Sequence, residues 1–298
     1  MNYVNCNKKD LEKEYAALVA EYEEVKGKGL KLNMARGKPG EDQLNLSRPL
    51  LDVINSSTDC ITAHGADCRN YGELAGIDEC KNFFAEIFDV DPSDVMVGGN
   101  SSLNMMFDTI AGFMTKPVVE GCKPWYEVKN RKFLCPAPGY DRHFAITEYF
   151  DFDLIPVPMT ENGPDMDVVE KLVENDDSIK GIWCVPKYSN PLGITFSDET
   201  VKRFAALKPA AKDFRIMWDN AYCVHDVTDT PDELLSLMAE CRKTGNVDLP
   251  IMFTSTSKIT FPGSGVAAMA ASDNNMKVIK NRYQYQVISY DKMNMLRC

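Results

Sequence analysis

Two polar segments in the second half of the chain carry side chains that could do covalent and acid–base chemistry. Lys258 ends the motif Ser-x-Ser-Lys after an apolar run, where a lysine amine can form a Schiff base with an aldehyde. Asp219 begins the motif Asp-x-x-Tyr after another apolar run, and its carboxylate can keep a basic ring nitrogen protonated. Taken singly, Lys258 is better interpreted as a surface lysine, and Asp219 equally well as a capping or surface residue.

Three further segments offer a phosphate site, an aromatic ring and an amide. Asn100, Ser101 and Ser102 open a helix whose first N–H groups can bind a phosphate, although ordinary N-capping is the more common role. Tyr140 offers a ring face and Asn190, in Asn-Pro-x-Gly, an amide, although packing and a plain turn explain each of them taken alone. One ligand with a phosphate, a flat ring, a phenolic oxygen, a ring nitrogen and an aldehyde would use all five segments, which predicts pyridoxal phosphate.

Short apolar strands that alternate with helices position these segments. The predicted strands are 95–99, 132–136, 152–158, 181–186, 214–219, 250–255 and 265–271. The predicted helices are 77–90, 101–114, about ten residues after 136, 165–174, 198–207 and 231–242. This alternation predicts an α/β fold with a mostly parallel sheet sandwiched by helices, and ligands of such sheets bind beyond the carboxyl ends of the strands.

The N-terminal part of the chain has a different pattern. Residues 9–28 are predicted to form an amphipathic helix, and 35–43 a loop rich in glycine and proline. The apolar stripe of that helix consists of Leu11, Tyr15, Leu18, Val19 and Tyr22.

Composition argues against several classes of protein. The net charge is −11 and no dense Lys/Arg run exists, which argues against nucleic acid and membrane partners. Ten scattered cysteines without a C-x-x-C pair are typical of free thiols in a reduced compartment, and His64, His143 and His225 lack metal-ligand spacing. Neither a secretory signal nor an apolar membrane span is visible. The sequence therefore predicts a cytoplasmic protein without a metal.

The order of these segments resembles the fold-type I pyridoxal-phosphate aminotransferases of the class I/II superfamily. The likeness is greatest to the divergent aspartate aminotransferase group related to the catalytic domain of MocR-type regulators. It rests on GGNSSL, CPAPGYDRHFAI, WDNAYCVHD and STSKITFPGSGVA. It implies that Lys258, Asp219 and Tyr222 are catalytic, and that Gly37 and Asn190 lie near the substrate. The cofactor contacts that it implies are Asn100, Ser101, Ser102, Tyr140, Asn190, Asp219, Tyr222, Ser255, Ser257, Lys258 and, from a neighbouring subunit, Tyr71.

The same resemblance assigns a role to each group. Lys258 would hold the cofactor and move a proton between the substrate Cα and the cofactor, while Asp219 would pair with the pyridine nitrogen. Asn190 and Tyr222 would bond the phenolic oxygen, and Tyr140 would stack on the ring. A contribution from Tyr71 implies a homodimer. The peptide bonds before Pro138 and Pro191 match positions that are often cis in the family.

Two departures from the family pattern stand out. Most relatives carry a phosphate-clamping Arg where this chain has Gly265 and Val266, so Ser264 or another residue would replace it, or phosphate binding is weaker. The sequence is also shorter than family members, so it is expected to be truncated at the C-terminus, without the rest of the small domain and the Arg that forks the substrate carboxylate. The implied division is an N-terminal small-domain segment (1–46), a large cofactor domain (47–285) and the start of an interdomain helix (286–298).

The predicted reaction is ping-pong transfer of an amino group between an amino acid, aspartate by resemblance, and a 2-oxo acid, 2-oxoglutarate by resemblance. A lyase or decarboxylase on the same fold is an alternative that the cofactor residues do not separate. A MocR-like ligand-sensing module is another, although nothing before Asn33 resembles a basic helix-turn-helix domain. An α/β binding protein without a cofactor is the last alternative.

Overall fold

The computed structural model describes residues 3–32, 38–226 and 228–298, which divide into two compact units, Met1–Gln43 and Leu44–Cys298. In the first unit, helix α1 spans Lys8–Gly27 and confirms the predicted helix, with the Asn7 side chain accepting from the Asp10 amide at 3.0 Å. Its predicted apolar stripe is exposed.

The predicted loop at 35–43 is wrong in its last part. Helix α2 spans Glu41–Leu46, so the loop ends at Gly40, and residues 35–37 lie outside the described residues. The helix begins here because Gln43 Oε1 accepts from the Gly40 amide at 2.8 Å, while Glu41 and Asp42 place negative charge at the positive end of the helix.

The described residues of the second unit form an eight-stranded sheet in the order β1-β8-β7-β6-β5-β2-β3-β4. The strands are β1 (Val95–Val97), β2 (Lys132–Ala137), β3 (Asp153–Thr160), β4 (Gly163–Pro164), β5 (Ile179–Cys184), β6 (Arg215–Asp219), β7 (Pro250–Ser255) and β8 (Ala267–Ala271). The predicted strands are confirmed, with ends that shift by a few residues.

Most strands run in the same direction, which brings their carboxyl ends to one edge of the sheet. The pairs β6–β7, β5–β6, β2–β5 and β2–β3 are parallel. Strand β8 is antiparallel to both of its neighbours, so β1 points the same way as β7, and β8 begins at the edge where β1 and β7 end. The ends of β1, β2, β5, β6 and β7 therefore meet at one edge.

Helices cover both faces of the sheet. They are α3 (Asp78–Phe88), α4 (Ser102–Thr115), α5 (Asp141–Tyr149), α6 (Met166–Asn175), α7 (Asp198–Ala205), α8 (Leu237–Thr244), α9 (Asp273–Tyr283) and α10 (Lys292–Arg297). Alternate residues of each strand enter opposite cores: Ile216 and Trp218 pack on the α3, α6, α7 and α8 side, and Met217 on the α4, α5 and α9 side. Burial on both faces explains why the strands are apolar throughout, and it confirms the predicted α/β fold.

Several helix predictions need correction. Helix α8 begins at Leu237 instead of Pro231, because the Ser236 side chain accepts from the Ala239 amide and caps the helix there. Helix α9 and the short strand β4 were not predicted. Of the predicted helical segment 286–298, only Lys292–Arg297 is helical, and the Asp291 side chain caps it.

Candidate functional site

A cavity of about 190 Å³ lies at the edge of the sheet where β5, β6 and β7 end. Its wall is made by five segments that are distant in the sequence. The predicted site residues that line it are Ser101, Ser102, Tyr140, Asn190, Asp219, Tyr222, Ser255, Ser257 and Lys258. Two larger cavities, of about 550 Å³ beside α4 and α9 and about 460 Å³ beside α8, contain none of the predicted residues, and a third, of about 360 Å³ beside α4 and α5, contains only Ser101. The smaller cavity is therefore the candidate site.

Asp219 has one satisfied and one unsatisfied oxygen. It ends β6 on the face covered by α4 and α5, and it is only 4% exposed. Its Oδ2 lies 2.9 Å from His143 Nε2, whereas its buried Oδ1 has no hydrogen-bond partner among the described residues. A buried carboxylate oxygen without a donor is costly, so this position suits a ligand that donates an N–H.

The sequence did not single out His143 for this contact. The imidazole is 1% exposed and stacks on the Trp183 ring, with centroids 4.6 Å apart and planes 15° from parallel. An ionised carboxylate only accepts hydrogen bonds, so the His143 proton sits on Nε2 in the neutral form. The available signal was spacing, because His143 lies three residues after Tyr140, which lines the cavity, and so shares its side of the chain.

Tyr222 and Asn190 form a second pair in the cavity. Burial raises the pKa of the Tyr222 phenol, the nearby Asp219 charge and Tyr140 raise it further, and a hydrogen bond from the Asn190 side chain opposes the shift. A phenol is protonated at neutral pH even with its ordinary pKa, and the raised pKa extends that range to higher pH. Tyr222 can thus donate a hydrogen bond into the cavity while the Asn190 amide lies beside it, which agrees with a shared ligand oxygen.

Lys258 ends a single 3-10 turn, Thr256–Lys258, that follows β7. Its side chain is exposed, and its Nζ lies over the Tyr222 ring, 5.0 Å from the centroid. Ser257 Oγ donates to the main-chain oxygen of Asn100 at 3.0 Å, which ties this turn to the segment after β1. The amine is therefore next to the Tyr222 ring and in the same cavity as the Asp219 carboxylate.

The start of α4, where the sequence predicted a phosphate site, borders the cavity. Ser101 and Ser102 line the cavity, and Ser101 is also the N-cap, since its Oγ accepts from the Asn104 amide at 3.4 Å. Asn100 is not in the cavity wall; its Nδ2 donates to the Gly263 oxygen at 3.2 Å. Unpaired N–H groups at a helix start attract anions, so the serine cluster with Ser255 is the natural anion site.

The positions of the absent phosphate-clamping Arg are closed to a long side chain. A Cβ on Gly265 would lie 2.7 Å from Thr256 Oγ1, and Val266 is buried in the core. Ser264 does not line the cavity; its main-chain oxygen accepts from Arg297 Nη2 at 3.0 Å. Steric closure around the lysine turn therefore explains the glycine.

The remaining predicted positions have different outcomes. Tyr71 is 81% exposed and does not line the cavity, and Gly37 lies outside the described residues. The Ala137–Pro138 and Asn190–Pro191 bonds are both cis, which confirms that expectation.

All ten cysteines are free, and six of them are buried. Among the described residues no His, Cys, Asp or Glu group could hold a metal, and none of the described helices is both long and apolar enough to cross a membrane.

The described residues fit pyridoxal phosphate on the chemistry of the donors and acceptors. The Asp219 Oδ1 lacks a donor that a protonated ring nitrogen would supply, and the Tyr222 hydroxyl and Asn190 amide in the same cavity can bond a phenolic oxygen. Lys258 supplies an amine, and the start of helix α4 supplies N–H and hydroxyl groups that can bind an anion.

Comparison with known proteins gives concordant results. The family model for aspartate amino-transferase matches residues 7–298. An aspartate aminotransferase of Corynebacterium glutamicum is 42% identical over 275 residues, covering 92% of this chain and 63% of its own length. A Mycolicibacterium smegmatis protein named as an aminotransferase is 43% identical over 298 residues, 100% of this chain and 70% of its own. The crystal structure of an aspartate transaminase from C. glutamicum has a TM-score of 0.91 at 40% identity, covering 98% of this chain and 69% of that chain. The chain thus spans about two thirds of the length of these relatives.

Proposed function

Since the chain belongs to the aspartate amino-transferase family, we propose that it transfers an amino group between aspartate and a 2-oxo acid, with pyridoxal phosphate bound at Lys258. The observation that carries this proposal is that one cavity is lined by both the Lys258 amine and a buried carboxylate, that of Asp219, whose Oδ1 lacks a donor. The proposed co-substrate is 2-oxoglutarate, and the proposed order is ping-pong.

The bound cofactor would supply an electron sink for the carbanion that forms at the substrate Cα. The chain would supply binding, orientation and proton transfer. Asp219, held by His143, would fix the ring nitrogen and keep it protonated, because a neighbouring negative charge favours the charged form. Lys258 would hold the aldehyde carbon and then, once freed by substrate, move a proton to and from Cα.

The other cavity residues would orient the cofactor. Tyr222 and Asn190 would bond its phenolic oxygen, with the protonated Tyr222 hydroxyl as the donor. Tyr140 would cover one ring face. A helix start with two serines would bind the phosphate dianion, and Ser255 would add a further hydroxyl. We propose the same phosphate role for Asn100, a cofactor contact for Ser257, and a place for Asn190 near the substrate.

The assembly and the domain division belong to the same proposal. Residues 47–285 would form the cofactor domain, 1–46 a segment of the small domain and 286–298 the start of the interdomain helix. The exposed Tyr71 would reach the phosphate in a second copy of the chain, and Gly37 would contact the substrate carboxylate. Ten free thiols favour a reducing compartment such as the cytoplasm.

An amino-transfer assay tests this function. The protein with pyridoxal phosphate, aspartate and 2-oxoglutarate is expected to form glutamate, and with alanine in place of aspartate much less. The Lys258→Ala variant should form none, while the exposed-site control Lys202→Ala should match the wild type. Release of carbon dioxide with alanine, or of ammonia with fumarate, from aspartate without glutamate would point to a decarboxylase or a lyase and would overturn the proposal.

A further inference from the structure

We propose that His225 is a positioning residue for Lys258: its Nε2–H donates to the Lys258 main-chain oxygen and fixes the turn from which the amine enters the cavity. The two atoms are 2.8 Å apart. The inference rests on the proposed function, because it assigns a role within the same site. His225 carries no metal-ligand spacing and does not line the cavity, so nothing else at the site accounts for it.

The turn that carries Lys258 is tied down on two sides before His225 is considered. Thr256, which is buried, accepts from the Val266 amide through its Oγ1 at 2.9 Å and so joins the turn to β8. Ser257 Oγ donates to Asn100, which joins it to the segment before α4. Lys258 itself is the last residue of the turn and exposed, so without a further contact its main chain would be the least restrained.

His225 provides that contact from the loop after β6. Its amide donates to the Tyr222 oxygen at 3.1 Å, and its ring packs edge-on against the Tyr222 ring, with centroids 5.7 Å apart. The Lys258 amine lies over the same Tyr222 ring. Lys258, Tyr222 and His225 therefore form a closed group in which the lysine is held at its main chain by one partner and at its amine by the other.

The chemistry of the imidazole supports a donor role. A carbonyl oxygen only accepts hydrogen bonds, so the contact requires the proton on Nε2. His225 Nδ1 is then an acceptor; it is buried and has no partner among the described residues. An unpaired buried acceptor destabilises the fold, and a phenylalanine ring would fill the same space without that cost. The hydrogen bond that Nε2–H donates to the Lys258 oxygen is thus the contact that distinguishes histidine from phenylalanine here.

Capture of pyridoxal phosphate at Lys258 tests the inference without using amino transfer as the readout. Borohydride reduction followed by peptide mass spectrometry measures the fraction of Lys258 modified at limiting cofactor. His225→Phe keeps the ring and removes the donor, His225→Leu removes both, and His225→Gln keeps an N–H near the Nε2 position. We expect apparent affinity to fall about three- to ten-fold in the Phe and Leu variants and to stay within about two-fold in the Gln variant.

Unfolding of the cofactor-free variants separates positioning from folding. We expect His225→Phe to unfold at the wild-type temperature or above it, since the unpaired Nδ1 is gone. Wild-type capture by His225→Phe and His225→Leu, or a loss in His225→Gln as large as theirs, would overturn the inference and leave the proposed function standing. Failure of the wild-type chain to be modified at Lys258 would overturn both.

Discussion

Replacing Asp219 by asparagine should weaken cofactor binding without weakening the fold. The carboxylate is buried, and one of its oxygens has no donor until a ligand supplies one. An amide of the same shape can still bond His143, but it loses the negative charge that would pair with a protonated ring nitrogen. A hydrogen bond to a charged group contributes about 1.5 to 3 kcal/mol, so the dissociation constant for pyridoxal phosphate should rise about 10- to 150-fold.

The stability of the cofactor-free protein should hardly change in Asp219→Asn. Neutralising an incompletely paired buried carboxylate removes a desolvation cost, which offsets the weaker bond to His143. The free energy of unfolding of Asp219→Asn should therefore change by less than about 1 kcal/mol. Titration of the cofactor by fluorescence and thermal unfolding of the cofactor-free protein measure the two quantities.

Asp213 is the matched control, because it is equally buried but fully partnered. Its Oδ1 accepts from Lys180 Nζ at 2.8 Å and its Oδ2 from Trp125 Nε1 at 2.9 Å. Asp213→Asn leaves a buried ammonium without its counter-charge, so it should cost about 3 kcal/mol and lower the melting temperature by roughly 6 to 12 °C. The dissociation constant should stay near the wild-type value.

The two variants thus have opposite signatures. A dissociation constant for Asp219→Asn within two-fold of wild type would refute the role given to the unpaired Oδ1. If cofactor-free Asp219→Asn were as unstable as Asp213→Asn, Asp219 would instead be a structural residue whose carboxylate stabilises the fold.

Three further predictions follow from contacts around the site and in the core. Because the Tyr222 phenol is protonated at pH 7 and its pKa is raised further from neutrality, Tyr222→Phe should raise the cofactor dissociation constant about 2- to 12-fold. An unchanged constant in the titration would contradict its donor role. A Cβ on Gly265 would press on the turn that carries Lys258, so Gly265→Ala should slow borohydride trapping at Lys258 several-fold. The control Gly263→Ala, whose Cβ meets nothing within 4 Å, should trap at the wild-type rate. Equal trapping rates in the two variants would contradict the steric explanation of Gly265. Burial raises the pKa of the Cys80, Cys135 and Cys241 thiols to about 12, so the folded chain keeps protons that the unfolded chain loses above pH 9. The free energy of unfolding, measured by urea titration, should therefore fall as pH rises from about 9 towards 12. A free energy of unfolding that stays constant over this range would disprove the prediction.

The sheet was predictable because both of its faces are buried. Strands such as 181–186 and 250–255 are apolar without alternation, and that pattern is typical of parallel strands between two helical layers. The antiparallel insertion of β8 between β1 and β7 was not predictable, because a buried run of alanines has the same pattern in either direction. The start of α8 was misplaced because Pro231 and Ser236 are both plausible helix starts, and only the cap at Ser236 forms.

The site was predictable to the extent that its residues follow strands. Asp219, Lys258 and Asn190 each come after a strand, and parallel strands bring such positions together at one edge. His143 and His225 act through contacts between segments that are distant in the chain, with Asp219 and with the Lys258 main chain. The spacing from Tyr140 indicates only which side of the chain His143 lies on, and nothing in the sequence identifies the partner of either histidine. The closed space at Gly265 is likewise visible only once Thr256 is placed beside it.

Mapping the lysine that pyridoxal phosphate modifies tests directly whether Lys258 is the residue that binds the cofactor. After borohydride reduction and digestion, we expect about one modification per chain, on Lys258, and its loss in Lys258→Ala with an unchanged melting temperature. Label spread over other lysines, or the same stoichiometry in Lys258→Ala, would contradict it.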